Sequence, residues 1–112
     1  MDFQEEPVLV SEIDGGFRVS VRGSVHVNTA WLEGELRRVA DKKPKLVELD
    51  LSATPHVSSA GMGLFLASRR TIAAAGGTFR VVSIQKAVFG SFRFAGLDTV
   101  FQIEPSAVIL GK

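Results

Sequence analysis

Residues 46–70, LVELDLSATPHVSSAGMGLFLASRR, join a short apolar alternation to a long helix-compatible run through a loop of small residues. Leu46-Val47-Glu48-Leu49-Asp50-Leu51 has the period of a strand and no partner strand immediately beside it in sequence, which places it inside a sheet. Ser52 to Val57 reads as loop, marked by Pro55. From Ser59 to Ala75 the leucine and alanine content supports a helix, and Gly76-Gly77 supplies its stop. The junction itself, HVSSAGMG at 56–63, holds two hydroxyls and two glycines where one cap would suffice.

The flanks extend this pattern. Val8 to Ile13 and Phe17 to Arg22 are two strands around Asp14-Gly15-Gly16, an N-terminal hairpin. Asn28 or Thr29 caps a helix running to about Ala40, with Trp31, Leu32, Leu36 and Val39 on one face, and Pro44 bars its continuation. Thr78 to Val82 is a further strand. Lys86 to Ala95 forms a short helix presenting Val88, Phe89 and Phe92, Gly96 ends it, and a brief strand is expected at Val100-Phe101. Strand, helix and strand recurring after residue 44 favour parallel pairing with right-handed crossovers. The expected fold class is therefore α/β: a mixed sheet with an N-terminal hairpin, covered by helices, in one domain over residues 1–112.

Composition narrows the function. With 112 residues, 46% hydrophobic and 22% charged, the chain has the makeup of an ordinary globular protein. Thirteen basic against twelve acidic residues leave a formal charge of +1, so no pull toward nucleic acid is expected. The absence of cysteine excludes thiolate chemistry and leaves only His26 and His56 as nitrogen ligands, so neither a metal nor a cofactor is expected. The acidic start lacks a signal-like segment and no apolar run approaches the ~18 residues of a membrane span. A soluble, cytoplasmic protein is the expectation.

The junction fails each catalytic template tested against it. A nucleophile elbow at Ser59 would need glycine two residues before, where Val57 stands. A phosphate loop would need Gly-Lys-Ser/Thr after Gly63, where Leu64 and Phe65 stand. Asp50, His26 and His56 supply the residue types of a triad without its pattern. No catalytic residue is assigned and no enzyme is expected, a small hydrolase dependent on Ser59 being the minor reading. Ser58 or Ser59 capping the helix accounts for one hydroxyl. Two glycines in the first turns, each costing about 1 kcal/mol relative to alanine, suit a bare backbone surface that contacts something outside.

LVELDLSATPHVSSAGMGLFLASRR, followed by AAAGGTFRVVSI and FRFAGLDTVFQI, resembles the STAS domain family, specifically its bacterial anti-sigma factor antagonists. The matching pieces are Leu49 to Ser52, Ser58 to Gly63, Gly76-Gly77 with Thr78 to Val82, and Ala95 to Asp98. The resemblance implies a regulator of transcription by partner switching. Unphosphorylated, it binds an anti-sigma factor with a serine kinase ATPase fold; phosphorylation of the motif serine releases it, and a serine phosphatase restores it. By position that serine is Ser59, with Ser58 as the alternative acceptor. The implied contact surface is His26, Asn28, Ser58, Ser59, Gly61, Met62 and Gly63, Met62 fitting core packing equally well. In place of the family's usual aspartates the chain has Ser58 and, in Gly23-Ser24-Val25-His26, His26. The alternative function is a constitutive STAS subunit docked on the ATPase of a lipid-transporting ABC transporter, or within a larger signalling assembly.

Overall fold

The computed structural model describes residues 7–109; the acidic start at 1–6 and the last three residues lie outside them. Strands β1 (Val8–Ile13) and β2 (Gly16–Arg22) form the antiparallel hairpin expected from the glycine turn, with Val8 opposite Val21 and Val10 opposite Val19. Helix α1 (Ala30–Asp41) leads to β3 (Leu46–Ala53), α2 (Ser59–Ala74) to β4 (Thr78–Gln85), and α3 (Lys86–Phe94) with the short α4 (Leu97–Val100) to β5 (Val108–Ile109). The sheet order is β1-β2-β3-β4-β5, and every pairing after the hairpin is parallel.

This order has a consequence for the layers. Each crossover moves one strand further in the same direction, and right-handed crossovers then put every helix on the same face of the sheet. Val19, Val21, Val47, Leu49, Leu51, Phe79 and Val81 point to that face and are buried with Leu32, Leu36, Phe65, Ile72 and Phe92 from the helices. The helices therefore cover one face rather than both. Alternation turns Arg18, Glu48 and Arg80, neighbours in register across β2, β3 and β4, to the other. Glu48 is only 9% exposed there because both guanidinium groups close over it, Arg18 Nη2 at 2.7 Å from Oε1 and Arg80 Nη2 at 3.2 Å from Oε2. These bonds, Arg18's foremost, hold the Glu48 carboxyl below the usual carboxylate range against the opposing effect of burial.

Helix α2 ends as its glycines predict. Gly76 adopts φ +91°, its N–H donates to the Ala73 carbonyl and the Gly77 N–H to that of Ile72, the paired bonds of a Schellman stop. Three expectations shift. The loop expected from Ser52 starts later, because β3 runs to Ala53, and β4 runs on to Gln85. The strand expected at Val100-Phe101 is absent: Leu97–Val100 is helical and Phe101 is buried between Phe79 and Phe92, with ring centroids 5.9 and 5.7 Å away in edge-on contacts. Tertiary packing of the aromatic ring overrides its strand propensity. The closing strand is Val108–Ile109, paired with Ile84 and Gln85.

Candidate functional site

The junction between β3 and α2 is stitched to the loop that follows β2. Gly23 N–H donates to the Ala53 carbonyl, Thr54 Oγ1 to that of Val21, Val25 N–H to that of His56, and Ser58 N–H to that of Val25. A parallel bridge pairs Val25 with Val57. Thr54, Val25 and Val57 are buried, so two loops distant in sequence share one apolar floor. His26 is thereby brought beside Ser58, whose hydroxyl donates to its carbonyl.

The two serines have different roles. Ser58 is the N-cap of α2: its Oγ accepts from Gly61 N–H at 3.1 Å and donates to the His26 carbonyl at 2.8 Å. Its backbone carbonyl accepts from Met62 N–H. Ser59 is the first helical residue, is exposed, and lines a groove shared between the start of α2 and α3. That groove, of roughly 650 Å³, is lined by His56, Ser58, Ser59 and Met62 on one side and by Gly90 and Phe94, among others, on the opposite side.

The two glycines also divide. A β-carbon at Gly61 would lie 2.7 Å from Val25 Cγ1 and 2.9 Å from Val57 Cγ1, so glycine is required there by packing beneath the surface. At Gly63 a β-carbon would meet nothing within 4 Å. The bare backbone inferred from the sequence is therefore found at Gly63, which is exposed, while Gly61 is buried. Met62 is half-buried, packed on the core and lining the groove.

Asn28 is occupied with α1: its Oδ1 accepts from Ala30 N–H at 3.2 Å and its carbonyl from Trp31 Nε1 at 2.9 Å. Asp50, the acid of the triad reading, accepts from Ser52 N–H at 2.9 Å. Among the described residues no group of three His, Cys, Asp or Glu side chains is placed to hold a metal ion, and no helix is long and apolar enough to cross a membrane.

Three exposed residues at or beside this site were not placed there by sequence reasoning. Phe94 is 96% exposed at the end of α3. Its signal was present in the spacing, since Val88 and Phe92 point inward four residues apart and Phe94 falls two residues further, on the opposite face. Val27, 80% exposed next to His26, carried no such signal. His56 stands with its ring centroid 5.6 Å from that of His26, a pairing across 30 residues that only the loop stitching creates.

The family model described as the STAS domain matches residues 10–108. The chain belongs to the STAS domain family. Its fold is similar to that of an anti-sigma factor antagonist from Mycobacterium paratuberculosis, 31% identical, covering 88% of this chain and 84% of that one, with a TM-score of 0.78. A putative anti-sigma factor antagonist from Thermotoga maritima, 19% identical, covers 92% and 86% with a TM-score of 0.75. The STAS chain also superposes on the anti-sigma factor antagonist SpoIIAA in its unphosphorylated form, 14% identical, covering 94% and 88% with a TM-score of 0.68. The phosphorylated form of Bacillus SpoIIAA gives 0.66 at 13% identity, covering 94% and 91%. The comparison with curated proteins returns no match.

Proposed function

We propose that this STAS domain is an anti-sigma factor antagonist acting by partner switching in the cytoplasm, with Ser59 as its control point. Unphosphorylated, it binds an anti-sigma factor with a serine kinase ATPase fold and so frees a sigma factor. In the switching step Ser59 Oγ bonds to the γ-phosphorus of ATP, ADP departs with the broken P–O bond's electron pair, and the hydroxyl proton is released. A serine phosphatase resets the cycle by hydrolysis.

The observation that carries this reading is the difference between adjacent serines. Ser58 Oγ is engaged twice inside the fold, whereas Ser59 is exposed beside a groove. Modifying Ser58 would break the cap of α2; modifying Ser59 leaves it intact. A phosphate at the first position of a 16-residue helix is tolerated by the helix dipole. A partner covering Ser59, Met62, Gly63 and Phe94 must desolvate the new charge, which costs several kcal/mol when uncompensated. His26 and Asn28 edge that surface.

The test is capture from a lysate of the source organism with ATP present, using Ser59→Ala and Ser59→Asp proteins as bait. The proposal expects an ATPase-fold serine kinase on the alanine bait and its loss from the aspartate bait. Equal retention of one partner set, such as transporter subunits, on both baits would instead establish constitutive docking.

A further inference from the structure

The two loops at the junction and the helices α2 and α3 contain two imidazoles and no carboxylate, and the glutamates of α1, which packs on α2, are paired on their own helix, Glu33 with Arg37 at 2.9 Å and Glu35 with Arg38 at 2.7 Å. The loop at 23–29 carries His26, the loop at 54–58 carries His56, α2 carries only arginines at 69 and 70, and α3 carries Lys86 and Arg93 at its two ends. Arg22 closes β2 just before the first loop. The nearest carboxylate before the junction in sequence, Asp50, is held by Ser52 N–H. His26 and His56 are both exposed, 5.6 Å apart between ring centroids and tilted by 35°. His56 lines the groove with Ser59, and the His26 carbonyl accepts from the hydroxyl of Ser58, the residue before it.

We propose that His26 and His56 form the cationic seat of a phosphoryl group on Ser59. This rests on Ser59 being the phosphoacceptor. Histidine is the side chain that gains charge near neutral pH, and a phosphoserine has its second ionisation near pH ~6, so the two groups couple in the physiological range. An adjacent dianion favours the imidazolium, and the imidazolium in turn favours the dianion. With no carboxylate on these four segments to compete for the imidazoles, the phosphate is their natural counter-charge. The phosphorylated surface is then an ion pair that the domain itself satisfies, while a partner would have to bury it.

The experiment installs phosphoserine at position 59 of the full chain during translation, so that no kinase is needed, and follows the phosphorus resonance from pH 5 to 9. The comparison is the same protein carrying His26→Gln and His56→Gln together, with His56→Gln alone as a second variant; both residues are exposed, so the fold is retained. The second ionisation of the phosphate is expected at a pH lower by at least about 0.3 units in the parent than in the double variant, and His56→Gln alone to give part of that shift. A difference smaller than that overturns the seat. No partner protein is present, so such a failure leaves the partner-switching reading to its own binding test, and the loss of partner switching would not alter the titration.

Discussion

The Ser58 hydroxyl donates to the His26 carbonyl at 2.8 Å while accepting from Gly61 N–H, so one side chain both caps α2 and ties it to the loop after β2. Ser59, its neighbour, remains exposed. Serine-to-alanine substitution should therefore affect stability at Ser58 and not at Ser59. Ser58→Ala is expected to lower the unfolding free energy by about 1 kcal/mol through loss of the cap. Ser59→Ala should stay within about 0.5 kcal/mol of the parent. Urea denaturation with unchanged m-values checks both.

The glycines of the motif give a second contrast. Gly61→Ala forces a methyl against Val25 and Val57 and should cost about 1–3 kcal/mol. Gly63→Ala enters open space in a helix and should stabilise the isolated protein by up to about 1 kcal/mol. If Gly63 is where the partner approaches the backbone, the same substitution weakens the complex. Thermal melts and affinity measured on the same two proteins decide this.

The open face of the sheet provides a pH prediction. Glu48 has a folded-state pKa depressed by Arg18 and Arg80. Its contribution is therefore present above the unfolded value of about 4.3 and is lost as pH falls through the folded value. Glu48→Gln should cost about 1–2 kcal/mol at pH 7, a range kept low because both arginines are nearly half exposed. The difference from the parent should shrink steadily below about pH 4. Denaturation curves from pH 7 to pH 2.5 test the sign.

Phe94 should behave as a binding residue and not as a core residue. At 96% exposed, Phe94→Ser is expected to leave stability within about 0.5 kcal/mol of the parent. Because aromatic side chains dominate interface energetics, its loss should weaken the kinase complex by about tenfold or more. Isothermal titration with the captured kinase reads this directly.

Much of the fold was legible because local and tertiary preferences agree. The alternation in β2 and β3, the glycine pair after α2 and the apolar stripe of α1 all mark elements that form where expected. The C-terminal part was not legible. Phe101 has the side chain of a strand residue but is placed by the rings of Phe79 and Phe92, which no local pattern encodes. Within the site, the serine motif was visible in the sequence, while the tie that engages Ser58 and not Ser59 runs to the His26 carbonyl, 32 residues away. The same long-range stitching determines why Gly61 is glycine and why His56 meets His26.

The most direct test of the account is the affinity of the captured anti-sigma factor kinase for this domain with Ser59 unmodified and with phosphoserine at 59, each measured beside its melting temperature. The account predicts at least about a hundredfold weaker binding on phosphorylation, equivalent to about 2.7 kcal/mol, with the fold retained. Equal affinity of the two forms would contradict it.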